Sequence, residues 1–96
     1  MKAYVITDIR VTDPVRYEDY KVLSSSSAAL YGGRFIVRGG AHETLEGDWQ
    51  PNRVVILEFP SVDHLRKWWS SPEYKEAKAI RREASESQII MVEGTE

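Results

Sequence analysis

Asp8, Arg34, Arg38 and Glu58 are charged residues set into otherwise apolar, alternating stretches of the chain. Two acids and two bases admit two kinds of chemistry. In the first, an arginine holds an anionic group through its planar fork of donors, while Asp8 or Glu58, its pKa raised by enclosure, serves as a catalytic base. The site would be a polar-lined cavity between a sheet and its helices. In the second, the four charges neutralise one another in a cross-strand or intersubunit network that fixes register, because enclosed charges must be paired or hydrogen-bonded.

The remaining chemistry-bearing residues are fewer. Tyr17, Tyr20 and Tyr31 recur at helical spacing and suit either a pocket wall or core packing. Trp68 and Trp69 invite stacking on a flat ligand, but neighbours on a helix lie about 100° apart, so one at most faces the core. His42 and His64 are the only histidines, and His42 with Glu43 and Glu46 falls short of a zinc-binding set, so no metal is expected. Gly32-Gly33-Arg34 and Arg38-Gly39-Gly40 match neither phosphate-loop nor dinucleotide spacing and read as turns.

The elements that position these residues follow from periodicity. Residues 2–11 alternate as a strand, with Ala3, Val5, Thr7, Ile9 and Val11 on one face and Tyr4, Ile6 and Asp8 on the other. Asp13 before Pro14 starts a helix that runs to about Leu30, with Val15, Val22, Leu23, Ala29 and Leu30 supplying apolar contacts and four serines, Ser24 to Ser27, weakening its middle. Gly32-Gly33 ends it. Arg34–Arg38 forms a second strand with Phe35 and Val37 on one face and Arg34, Ile36 and Arg38 on the other, Gly39-Gly40 interrupting it as a turn or bulge. Extended chain is expected through 41–46, and a third strand over 53–59. Ser61 and Ser71-Pro72 cap two helical segments, 62–69 and 72–84, in which Leu65, Trp69, Ala77, Ile80 and Ala84 form the inward stripe. Residues 88–93 close the chain as a fourth strand.

This order is that of a ferredoxin-like βαββαβ α+β domain, an antiparallel sheet with both helical layers on one face. The chain of 96 residues has no cysteine and a net charge of −2, so disulfides and thiolate metal sites are excluded and a basic nucleic-acid footprint is missing. A domain this small is short of core. Tyr4, Ile6, Ile36, Val54 and Ile56 on the uncovered sheet face make an apolar patch larger than monomers tolerate, so a second copy should pack sheet against sheet. No run reaches the 18 or more apolar residues of a membrane span, and Met1 to Tyr4 leads straight into a strand pattern; the expectation is a cytoplasmic homodimer that binds neither membrane nor nucleic acid.

Tyr31-Gly32-Gly33-Arg34, Arg38-Gly39-Gly40, Glu46-Gly47, Arg53, Glu58-Phe59-Pro60-Ser61, Ser71-Pro72-Glu73-Tyr74 and Arg81 together resemble the bacterial domain-of-unknown-function family numbered thirteen-thirty, in the dimeric α+β barrel superfamily. The resemblance spans essentially the whole chain. It implies a ferredoxin-like protomer, a homodimer whose two sheets form a barrel, and pocket residues Tyr20, Arg34, Arg38, Glu58 and Trp68. More distant relatives in that superfamily include antibiotic biosynthesis monooxygenases, muconolactone isomerase-like proteins and haem-handling enzymes. The monooxygenase-like pattern often carries a histidine where this chain has Leu65 to Ser71, with its two tryptophans, and His64 lies earlier. Two functions are therefore expected: a cofactor-free monooxygenase or isomerase-like enzyme acting on a small, partly aromatic anionic metabolite, with Asp8 and Glu58 catalytic and Tyr20, Arg34, Arg38 and Trp68 binding; or a non-catalytic binding or stress-related dimer whose sheet charges are structural.

Overall fold

The computed structural model describes residues 1–96 as β1 (Ala3–Val11), α1 (Pro14–Leu30), β2 (Arg34–Arg38), β3 (Val54–Phe59), α2 (Val62–Trp69), α3 (Pro72–Ala84) and β4 (Ser85–Glu93). One four-stranded antiparallel sheet has the order β2-β3-β1-β4. The helices lie on one of its faces, which is the ferredoxin-like arrangement expected from the sequence. No helix is long and apolar enough to cross a membrane.

Helix boundaries follow the caps. Asp13 accepts a hydrogen bond from the Arg16 amide at 3.1 Å, Ser61 from His64 and Ser71 from Tyr74, each satisfying a donor that the first helical turn leaves free. Pro14 and Pro72 occupy first-turn positions where a missing N–H costs nothing. Gly32, at φ +78°, takes the left-handed conformation that ends α1.

Strand alternation on β1 and β3 is as the sequence predicts. Ala3, Val5, Leu57 and Phe59 are buried beneath the helices with Leu65, Trp68, Tyr74 and Ala77, and Ile9 and Val55 are buried in a second cluster with Tyr17 and Ala84. The opposite face carries Tyr4, Ile6, Val54 and Ile56, joined from β4 by Ile90 and Val92, and no element of this chain covers it.

Several local expectations are corrected. Helix α1 runs unbroken through its serines, and its inward face is the polar-looking one: Tyr17, Ser24, Ser27 and Ala28 are buried, while Val15, Val22 and Leu30 are 70% exposed or more. Ser25, Ser26 and Ser27 return their hydroxyl protons to carbonyls three or four residues back, so they compete little with the helix. Their small size also admits a large neighbour, since the Trp68 indole N–H donates to Ser27 Oγ at 3.1 Å. Trp68, not Trp69, is therefore the core residue, stacked 4.1 Å from the Tyr74 ring centroid and 5.1 Å from that of Phe59. β4 begins at Ser85, three residues before the expected position, and residues 41–46 adopt no strand.

The correction with most consequence lies in β2. Arg34 pairs with Glu58 and Phe35 with Leu57, but Val37 then pairs with Ile56 and Arg38 with Val55. Ile36 is the extra residue of a β-bulge, a device common on edge strands such as this one. Beyond it the alternation is reversed: Val37 joins Ile36 on the uncovered face, and Arg38 passes to the helix side.

Candidate functional site

The four charges singled out in the sequence do not converge. Asp8, Arg34 and Glu58 stand on the uncovered sheet face, whereas the bulge sends Arg38 through to the other side. Asp8 and Glu58 are also far apart along the sheet, because Glu58 lies opposite Tyr4, four residues or about 13 Å from Asp8 at strand rise. They cannot share one reacting group.

Each acid is instead satisfied locally. Glu58 Oε1 accepts from Arg34 Nε at 3.1 Å and lies 3.0 Å from Arg34 Nη2 and 3.5 Å from Lys2 Nζ. Partial burial opposes its ionisation, but the two cations outweigh that and hold its pKa below the usual carboxylate value. Asp8 accepts from the Trp49 indole N–H at 3.0 Å and from the Asn52 amide at 2.9 Å. The Trp49 bond leads in lowering its pKa, desolvation works against it, and the amides of Asn52 and Arg53 add to the lowering. Carboxylates stabilised in their charged form are poor bases at neutral pH. Of the four-charge network that the sequence offered as an alternative, only the Arg34–Glu58 pair with Lys2 is present; Asp8 meets no cation, and Arg38 meets no acid.

The helix side of the sheet gathers a different set. A cavity of about 20 Å³, room for one water molecule, lies between the sheet and the helices. Its walls are mainly apolar and aromatic, including Tyr17, Tyr20, Phe35, Trp68, Trp69 and Tyr74, and its polar rim is formed by Lys21, Arg38 and Arg53. The same three cations border an outer concavity of about 500 Å³ between α1 and β2. They therefore form the partition between the solvent and the aromatic interior.

These cations are held by contacts other than acids. The Arg38 guanidinium stacks 4.1 Å from the Phe35 ring centroid and donates from Nη2 to the Lys21 carbonyl at 3.1 Å. Arg53 lies 5.8 Å from the Tyr17 ring centroid, and its Nε is buried without a hydrogen-bond partner. Neither arginine has a carboxylate within ion-pair distance, although Lys21 pairs with Glu18 at 2.9 Å. Gly39 makes the arrangement possible, because a Cβ there would collide with the Arg53 guanidinium, and its φ of +72° also disfavours other residues.

Inside the cavity the titratable groups are phenols. Burial pushes Tyr20 up strongly, aided by neighbouring Tyr74, whose hydroxyl lies 3.3 Å away. Tyr17 is raised by burial and by Tyr20, with Arg53 countering. Both stay protonated at neutral pH and act as hydrogen-bond donors. The cavity lining includes neither a carboxylate nor an imidazole.

Of the residues expected from the sequence, Tyr20, Arg38 and Trp68 thus line the interlayer cavity, while Asp8, Arg34 and Glu58 do not. Sequence reasoning missed Arg53 and Lys21 as site residues; Tyr17, which it left between pocket wall and core packing, lines the cavity and is also buried. For Arg53 the signal was its place at the mouth of β3 across from a glycine, which is visible only once β2 and β3 are paired. A second concavity, about 430 Å³, opens at the β4 edge and is lined by Leu65, Arg66, Trp69, Ile89, Ile90 and Met91; Val5, Trp69 and Ile89 separate it from the interior. His42 bonds the Pro51 carbonyl and His64 the Ser61 hydroxyl, and no three His, Asp or Glu side chains converge as a metal site would need.

Comparison with known proteins places this geometry. A protein of unknown function from Rhodopseudomonas palustris, RPA0582, is 23% identical, with a TM-score of 0.76 over 99% of this chain and 83% of that one. A dimeric ferredoxin-like protein of unknown function from Jannaschia sp. CCS1 is 12% identical, with a TM-score of 0.72 over 98% and 100% of the two chains. The cofactor-independent oxygenase SnoaB of Streptomyces nogalater is 15% identical, with a TM-score of 0.70 over 99% and 94%. At these identities the likeness is one of fold. No curated protein matches the chain. The profile of the domain of unknown function DUF1330 matches residues 2–95, and the chain belongs to that family.

Proposed function

We propose that the protein is a homodimer that binds a small, partly aromatic anion between its helix layer and its sheet, with Arg38 and Arg53 holding the anionic group and Tyr17, Tyr20 and Phe35 meeting the ring. The observation that carries this reading is the buried, unpartnered Arg53 Nε beside a second arginine with no acid of its own. A buried donor left unmade costs about 1–3 kcal/mol, and a planar anion bound bidentately removes that cost. Because the cavity itself holds about one water, entry requires the rim side chains to swing outward. Arg38 is exposed, and its outward swing breaks only the Phe35 stacking and the bond to the Lys21 carbonyl. With protonated phenols and no carboxylate at hand, the site is suited to binding and not to proton abstraction.

Dimerisation is supported by the uncovered apolar face and by the relatives described as dimeric ferredoxin-like proteins. On this reading Asp8, Arg34 and Glu58 fix the edge of the interface and do no chemistry.

The test is thermal unfolding of the dimer with benzoate, salicylate and phenyl phosphate, using acetate and benzyl alcohol as controls. Ligand at about 100 times its Kd adds about 2.7 kcal/mol. The aryl anions should raise the Tm, the two controls should not, and Arg38→Ala or Arg53→Ala should remove the effect. No shift with any aryl anion, or equal shifts in both variants, would overturn the assignment.

A further inference from the structure

The lysines and arginines divide into those with acids and those without. Lys2, Arg10, Arg16, Lys21, Arg34 and Lys67 lie within 4.0 Å of carboxylates. Apart from the two rim arginines, all the unpaired ones fall on α2 and α3: Arg66, Lys75, Lys78, Arg81 and Arg82. Arg81 is buried and engaged, donating from Nη1 to Ser87 at 2.6 Å and from Nε to the Tyr74 hydroxyl at 3.4 Å. Arg66 belongs to the groove at the β4 edge. Lys75, Lys78 and Arg82 remain, and they share a concavity of about 520 Å³ with Ser70, Ser71 and Pro72 at the α2–α3 junction.

Read linearly, this stretch has its charges interleaved, but the helix sorts them. Lys75, Lys78 and Arg82 recur at i, i+3 and i+7 and form one stripe. Glu73 and Glu83 face α1, where Glu73 accepts from the Tyr31 hydroxyl at 2.9 Å and Glu83 meets Arg16 at 3.4 Å. Glu76, two positions before Lys78, points about 200° away from it. The acids in sequence therefore do not neutralise the basic stripe in space. Like charges at such spacings repel by a few tenths of a kcal/mol per pair, a cost the fold accepts here without an internal partner.

One of these cations is also fixed in place. Lys78 Nζ donates to the Trp69 carbonyl at 2.5 Å and lies 4.2 Å from the Trp69 ring centroid. Burial, then Arg82 and Arg81, push its pKa below the usual lysine value. The positive pole of α3 opens at the same end, at Pro72.

We propose that this concavity is a second ligand site, separate from the interlayer cavity, and that it takes a phosphate-bearing small molecule. Lys75 and Lys78, about 4.5 Å apart in helix rise, hold one anionic group, and Arg82, about 6 Å further along, holds the next. This spacing suits a diphosphate or a phosphoester with a second acidic group. Apart from Pro72 and Ala79 every lining residue carries a hydroxyl or a cationic group and none is aromatic, so the site offers no ring to stack on, unlike the interlayer site. A stripe of three cations on a chain with net charge −2 is too short to track a nucleic acid.

Inorganic pyrophosphate is the probe, titrated by calorimetry and by tryptophan fluorescence, since Lys78 sits on Trp69. Saturable binding is expected below about 1 mM, weakened about tenfold by Lys78→Gln or Arg82→Gln and less than about twofold by Lys67→Gln, whose lysine pairs with Asp63 at 3.0 Å. Lys75→Gln and Arg82→Gln touch no core contact, so a folding defect in Lys78→Gln leaves the test intact. No saturation by about 10 mM pyrophosphate, or equal loss in Lys67→Gln, would overturn the proposal. A binding change that Arg53→Ala reproduced would likewise reassign it to the interlayer cavity.

Discussion

Arg53→Met separates binding from stability in one substitution. Methionine keeps most of the length and apolar volume of arginine but removes the charge and the Nε–H. In the ligand-free protein that N–H is buried without a partner, so its removal recovers about 1–3 kcal/mol. Against this stands the lost contact with the Tyr17 ring, 5.8 Å from the guanidinium, worth about 0.5–1 kcal/mol at a partly exposed position. The balance is a gain near 1 kcal/mol, or a Tm higher by about 4–8 °C for a domain of this size. Urea unfolding followed at several protein concentrations separates this from any change in dimer affinity. The stabilised variant should at the same time lose its response to aryl anions. A variant destabilised by about 1 kcal/mol or more would refute the reasoning, because it would mean that Arg53 is already well satisfied in the free protein and is a structural residue.

Two further outcomes follow from the packing and the paired charges. Trp68→Ala should cost about 3–5 kcal/mol in urea unfolding, as expected for a large buried aromatic, and half-buried Trp69→Ala clearly less; the reverse ranking would contradict the core assignment. Asp8 and Glu58 have folded pKa values below their ordinary ones, so the stability they contribute is present in full above the usual carboxylate range and is lost as pH falls through their lowered values. Tm measured from neutral pH downward should therefore drop on the acid side, and Arg34→Met should flatten the part due to Glu58; an unchanged acid limb in that variant would count against the ion pair.

The elements were legible because each depends on local chemistry. Asp13-Pro14, Ser61 and Ser71-Pro72 cap helices through contacts within three residues, and the alternation of β1 and β3 follows from strand geometry alone. Side-chain roles set by tertiary contacts were less legible. The inward face of α1 is built from tyrosines and small serines because Trp68 needs space and an acceptor there, and nothing in α1 itself announces a tryptophan forty-one residues later. Hydrophobicity alone would have turned Val15, Val22 and Leu30 inward. Arg53 escaped notice for a related reason: its site is completed by Gly39 and Arg38 from a neighbouring strand.

Strand parity explains why half of the expected site residues came together and half did not. With strict alternation, Arg34 and Arg38 would share the uncovered face with Asp8 and Glu58, and the charges would form one set. The extra residue at Ile36 shifts the pairing by one, and a shift of one exchanges every side chain beyond it between faces. Arg34, before the bulge, stays with Glu58; Arg38, after it, meets Phe35 and the Lys21 carbonyl over the interior. Val37 is carried the other way and enlarges the apolar face. A single inserted residue on an edge strand thus assigns one arginine to the ion pair beside the open face and the other to the rim of the cavity. The open face and the cavity rim can then be altered independently, although their residues are interleaved in one five-residue strand.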